Sequence, residues 1–217
     1  KFSSTTDTGA TQEYFVEMFN TEAPITVANF LRYSTAGRFD NTFIHRAPDN
    51  FVIQGGGFTV DGGVIKPVQT FDTITSEFND SRINNRGTIS MAHTGNTNSG
   101  SSQWFVNVAN NPLNVPTDST QPVTALRHTV FGRVVGNGMT VVDAIEALPH
   151  VDLTQEVGLT TPANGEGLYQ NLPFRGTFTD FARTLTGTVS TTANSTQVVG
   201  VGTKFTTELV GTLQAGV

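Results

Sequence analysis

The stretch from residue 39 to 131 contains only short apolar runs, at 51–53, 88–91, 104–108 and 128–131, each bounded by Gly, Asn, Asp or Pro. This rhythm constrains the fold more than any other feature. Helices that bury a face need ten or more periodic residues, whereas runs of three to five between turn formers suit short antiparallel strands. A sandwich or barrel is therefore expected.

Two segments break the rhythm. Pro24 can occupy a first helical turn, where a missing N–H costs nothing. Val27, Phe30 and Leu31 follow at helical spacing, and Gly37 closes the element. Residues 140–148 place Val141, Val142, Ile145 and Leu148 on one stripe, stopped by Pro149. Upstream, residues 11–19 read as a strand with Tyr14, Val16 and Met18 on one face and Phe15 and Phe19 on the other. Two helices and roughly eight strands fit a closed eight-stranded antiparallel β-barrel with a helix over each open end. We expect a mainly β domain over residues 1–180, with one late strand between 168 and 178. Residues 181–217 form a Gly/Thr-rich extension. Within it, residues 187–211 alternate apolar and polar around a turn near 193–195, as a β-hairpin outside the barrel would.

Net charge narrows the function classes. At −6, with no Lys/Arg run, the chain offers nothing to track phosphates, and no nucleic-acid partner is expected. No apolar run approaches the roughly 20 residues that span a bilayer. Cysteine is absent, which excludes disulfides and thiolate chemistry. His93 and His150 have no partners at metal-ligand spacing, so no metal site and no cofactor are expected. Abundant Thr, Asn and Gly with few Lys, and a start at Lys1, give the expectation of a mature or trimmed exported protein, periplasmic in a bacterium; the alternative is cytoplasmic.

Three stretches remain to be explained. The first runs Phe43-Ile44-His45-Arg46 to Phe51-Val52-Ile53-Gln54 and into Gly55-Gly56-Gly57-Phe58. An arginine with Phe at +5 and Gln at +8 precedes a glycine bend where backbone can approach another group closely. Alone, this fits a structural strand with a surface arginine as well as a site. The second stretch joins Ser90-Met91-Ala92 to Ser102-Gln103-Trp104-Phe105 through a polar loop, of a length uncommon without a function. The third is Arg127-His128-Thr129-Val130-Phe131-Gly132.

In order and internal spacing these three stretches resemble the cyclophilin family of peptidyl-prolyl cis–trans isomerases. The length of the 92–103 loop is similar to the bacterial branch. The resemblance runs from about Ser4 to Leu148 and weakens through Pro173-Phe174-Arg175-Gly176. It implies cofactor-independent rotation about X-Pro bonds in protein substrates, and assistance to folding. It assigns Arg46 as the catalytic residue, with His45 as its neighbour on the binding surface. Phe51, Val52, Ala92, Phe105 and His128 would line the proline pocket, Gln54 would sit beside Arg46, Gln103 would belong to the substrate-binding surface, and the backbone of His93 would pair with the substrate chain. The implied partners are proline-containing peptides and unfolded or flexible protein segments, bound by a monomer.

The chemistry is consistent with these residue types. Amide resonance sets a rotation barrier of about 18–20 kcal/mol, and unaided X-Pro isomerisation takes tens to hundreds of seconds. A guanidinium that donates to the prolyl nitrogen as it pyramidalises favours the twisted amide, and arginine is a permanent multiple donor.

This chain departs from the family pattern in two places. Pro48 stands two residues after Arg46, where the family places a proline at three. Residues 110–126 are longer than usual and lack a tryptophan, so Val123 or Leu126 would fill that wall and cyclosporin would bind weakly. Two other readings compete: a non-catalytic module that docks proline-containing loops, and a surface or particle component whose tail faintly resembles the Gly/Thr-rich β modules of phage tails.

Overall fold

The structure is a computed structural model that describes residues 1–5, 9–61, 64–111, 127–151, 171–173, 188–191 and 198–201. The alternation read along residues 11–19 forms strand β2 (Thr11–Met18), with Tyr14 buried and Phe15 exposed. Together with β1 (Phe2–Thr5), β3 (Val52–Gly55), β6 (Thr88–Met91), β7 (Trp104–Asn107) and β8 (Val130–Val135) it builds one antiparallel sheet in the order β1-β2-β8-β6-β7-β3. Two short hairpins, β4 (Phe58–Asp61) with β5 (Val64–Pro67) and β9 (His150–Val151) with β10 (Leu172–Pro173), accompany it. Beyond β3, residues 43–46 continue the pairing. His45 N donates to Gln54 O (3.0 Å), and Gln54 N donates to Arg46 O (2.8 Å).

The sheet curls. Strands lie about 4.8 Å apart, so β1 and β7, four places apart in the order, would be well separated in a flat sheet. Instead the Phe2 and Trp104 rings meet with centroids 4.9 Å apart. Phe2 also stacks on Tyr14 at 4.7 Å, and Phe30 packs on Phe131 at 5.4 Å. Ile53, Ile89 and Val106 complete this core, each fully buried. The protein is thus mainly β with two helices. Closure of an eight-stranded barrel is not reached among the described residues, where β1 and the 43–46 segment remain as the two edges.

Helix α1 (Pro24–Thr35) buries Val27, Phe30 and Tyr33 on the core. Leu31, expected on that face, is 47% exposed. The buried stripe keeps Val27 and Phe30 and extends through Thr26, Asn29 and Tyr33, on the side away from Leu31. No local side chain caps α1. Glu77 does so from 51 residues away: one carboxylate oxygen accepts from Ile25 N (3.0 Å) and the other from Thr26 N (2.7 Å). Helix α2 (Gly138–Glu146) buries Val142 and Ile145, and ends before Pro149. Farther on, β11 (Thr188–Thr191) and β12 (Val198–Val201) pair as an antiparallel hairpin, as the alternation predicts.

Candidate active site

Successive residues of a strand point to opposite faces. In β3 and β7 this sends Ile53, Trp104 and Val106 into the core, and sends Val52, Gln54, Phe105 and Asn107 to the other face. Register makes Gln54 the cross-strand partner of Phe105, and Val52 that of Asn107. At the turn into β4, Gly56 holds φ at +75°, and a Cβ there would lie 2.5 Å from Ser102 O. Only glycine brings the chain that close to the strand carrying Gln103 and Phe105.

Arg46 faces this surface from the neighbouring segment. Its guanidinium carbon lies 5.4 Å from the Phe51 ring centre, and Nη1 donates to Gln54 Oε1 at 3.4 Å. Gln54 Nε2 in turn donates to Gln103 Oε1 at 2.9 Å. A guanidinium can only donate, so it turns the Gln54 carbonyl toward itself and the amide nitrogen toward Gln103. Partial burial disfavours the charge and lowers the Arg46 pKa. Arginine nevertheless stays cationic at neutral pH.

Across β7 lies an aromatic wall. The Phe105 ring, 5% exposed, meets His128 edge-on at 5.1 Å. His128 stacks on His93 at 4.0 Å and contacts Met91 O through Nδ1 at 3.1 Å. Burial and the neighbouring His93 hold the His128 imidazole down at about 4, so it is neutral here. The His93 ring bridges two backbones, with Nδ1 2.5 Å from Thr94 O and Nε2 3.1 Å from Arg127 O. Ala92, beside it, donates its N–H to Gln103 O at 2.9 Å. The two ends of the 92–103 loop are thereby tied to each other and, through His93, to the backbone at Arg127. Its short 3₁₀ turn at Thr97–Ser99 is also fastened to residue 76 through Asn98, whose Oδ1 accepts from Ser76 N at 2.8 Å.

His45 differs from expectation. It is 1% exposed, on the opposite side of its strand from Arg46, because neighbours in an extended segment alternate. Its ring packs edge-on against Phe58 at 5.1 Å and borders, with Gln103, the space left by Gly57. The structure thus places it on the core side of the segment, away from the face that Arg46 shares with Gln54. Leu126 and Val123 lie outside the described residues.

Sequence reasoning missed the polar layer behind the wall. Ser90 Oγ donates to Asn84 Oδ1 at 2.6 Å, and Asn107 Nδ2 donates to Thr88 Oγ1 at 2.9 Å. Asn111 Nδ2 donates to Asn107 Oδ1 at 2.7 Å and to Phe51 O at 2.8 Å. These buried amides fix the backbone that carries Phe51. Their signal was available as polar residues at mid-strand positions of 88–91 and 104–107, where a core strand would be apolar.

The model of the cyclophilin-type peptidyl-prolyl cis–trans isomerase family matches residues 4–161. A peptidyl-prolyl cis–trans isomerase of Acinetobacter baylyi is 36% identical over 159 residues, covering 73% of this chain and 72% of that one. Peptidyl-prolyl cis–trans isomerase B of Escherichia coli is 40% identical over 134 residues, or 61% of this chain and 77% of that one. A solved cyclophilin-type isomerase of Cryptosporidium parvum is 25% identical, with a TM-score of 0.48 over 68% of this chain and 85% of that one. With the family match spanning well over half of its length, the chain belongs to the cyclophilin-type peptidyl-prolyl cis–trans isomerases.

Proposed function

We propose that Arg46 carries the peptidyl-prolyl cis–trans isomerase activity of this chain, working on an X-Pro bond whose proline ring rests on Phe51, Val52, Phe105 and His128. The observation that carries this reading is the guanidinium oriented by Gln54 over Phe51, one cross-strand pair away from the Phe105–His128 wall. A donor aimed at the prolyl nitrogen gains strength as that nitrogen pyramidalises, and an apolar wall that excludes water strengthens it further. No covalent step and no cofactor enter this chemistry. Ala92 and the backbone of His93, on the loop tied to Gln103, would pair with the extended substrate chain. Exchange measured by NMR on a short X-Pro peptide tests the reading. Catalysed exchange at the full parent rate after complete removal of the Arg46 side chain would overturn it.

Several finer features follow. The substrates are proline-containing segments of unfolded or flexible chains, and the protein works as a monomer that assists folding in an exported compartment. Sedimentation and fractionation of the native host test those two points. Cyclosporin is expected to bind weakly, since the sequence of residues 110–126 carries no tryptophan; inhibition as tight as in sensitive relatives would refute this. The barrel is closed and eight-stranded. The β1 edge and residues 41–44 line one cavity of about 400 Å³, so the two edges of the curled sheet face a common space. Slow amide exchange along the free edge of β1 is the expected signature. Residues 181–217 form a separate extension, so removing 185–217 leaves isomerase activity nearly intact.

A further inference from the structure

We propose that His45 and Gly57 are positioning residues for Arg46, acting through a relay of side-chain amides that ends at the guanidinium. The proposal rests on the reading of Arg46 given above. Going outward from the core, the His45 imidazole borders Gln103 at the space left by Gly57, and the amides of Gln103 and Gln54 lead on to Arg46.

Each link constrains the next. Gln54 gives its carbonyl to the arginine and its amide N–H to Gln103, so neither glutamine can flip without losing a bond. Gln103 would still be free to swing on its flexible stem if nothing stood behind it. His45 stands there, fully buried, its Nδ1 without a hydrogen-bond partner among the described residues. Its Cε1 borders, together with the Gln103 amide, the space left by Gly57, and Phe58 packs on the ring from the side. Burial, with the Arg46 charge adding to it, holds the imidazole at about 3, so it stays neutral and adds no competing charge beside the guanidinium.

Gly57 sets the spacing of this backstop. A Cβ at residue 57 would lie 3.0 Å from Gln103 Cδ and 3.0 Å from His45 Cε1. Both side chains rest against the space a methyl group would take. The third glycine of the 55–57 run therefore serves the amide relay, while Gly56 serves the backbone turn. A small displacement of Gln103 passes through Gln54 to the guanidinium, and misplacement of a catalytic group by about 1 Å can cost two orders of magnitude in rate.

The test is a set of double-mutant comparisons read by NMR exchange on an X-Pro peptide at high enzyme concentration, which follows weak activity. Gly57→Ala leaves every polar group in place and moves only the backstop. His45→Leu changes the shape and polarity of the group bordering Gln103, and His45→Gln keeps that group polar. Gly57→Ala and His45→Leu are each expected to lower kcat about tenfold with KM nearly unchanged, and His45→Gln to recover part of the loss. In an Arg46→Ala background both losses should vanish, since the group being positioned is gone. Equal losses in the two backgrounds, or full activity in folded Gly57→Ala, would overturn the positioning role while leaving Arg46 as assigned. If His45→Leu does not fold, Gly57→Ala decides alone. Full activity in Arg46→Ala itself would instead remove the underlying reading, so the two failures are told apart.

Discussion

The two faces of the β3–β7 pair are made from adjacent residues and carry different loads. The inner face presents Ile53, Trp104 and Val106, all at most 4% exposed, to the aromatic cluster of Phe2, Tyr14, Phe30 and Phe131. The outer face presents Val52, Gln54 and Phe105 beside Arg46 and His128, over the Asn84–Ser90–Asn107 layer. Apolar contact is non-directional, so the inner face holds its strands together without fixing any one polar group. The outer face is built from directional bonds, which orient groups but contribute less net stability each. Stability and activity should thus separate by the alternation of side chains along each of the two strands.

The strongest way to break that comparison is in the core. Phe131→Ala removes a fully buried ring and should cost about 3–5 kcal/mol in denaturant melts, with activity per folded molecule unchanged. A large kcat loss in the folded fraction would mean that the faces are not independent. On the outer side, Arg46→Ala removes a charge-assisted bond worth about 1.5–3 kcal/mol, which is about 10- to 150-fold in kcat/KM. Its melting temperature should barely move, because the guanidinium is half-buried and its bond to Gln54 is long at 3.4 Å. Arg46→Lys should recover little, since an ammonium lacks the planar fork.

Acid sharpens the comparison in another way. His45 at about 3 and His128 at about 4 both lie below the ordinary 6.5, chiefly from burial. Between 6.5 and those values the unfolded chain binds protons that the folded chain does not, so stability rises with pH through this window and is lost as pH falls. The loss approaches ~1.4 kcal/mol per pH unit for each histidine. Urea melts from pH 7 to 4 should show it, and His45→Gln should flatten the slope by about half. A flat profile in the parent protein would mean that the two rings are not buried as described. The smallest effect is expected at Glu77→Ala, which uncaps α1 and should cost about 1 kcal/mol. Its readout is stability alone, since α1 packs on the inner face.

Much of this was legible in sequence because it is local. Pro24 and Pro149 bracket helices through their missing N–H, and strand alternation sorted Tyr14 from Phe15 and Trp104 from Phe105 once a strand was granted. The three motif stretches carried the family resemblance. His45 lies apart from Arg46 because a motif names neighbours in sequence, whereas a strand sends neighbours to opposite sides. Leu31 went wrong for a related reason: helical spacing defines a stripe, but the packing partner decides which edge of the stripe is covered. The Glu77 cap, 51 residues from its helix, left no mark that local reading can find.

By itself, then, the sequence determined which segments extend, which coil and which residue types are present to act on a proline bond, since propensity, chain stiffness and side-chain chemistry are properties of a few consecutive residues. Only the tertiary structure decided that Gln103 and Gln54 stand in line with Arg46, that His93 stacks on His128, and that Gly57 leaves room for His45. Those juxtapositions depend on strand register and sheet curl, which are set by the burial of the whole core at once.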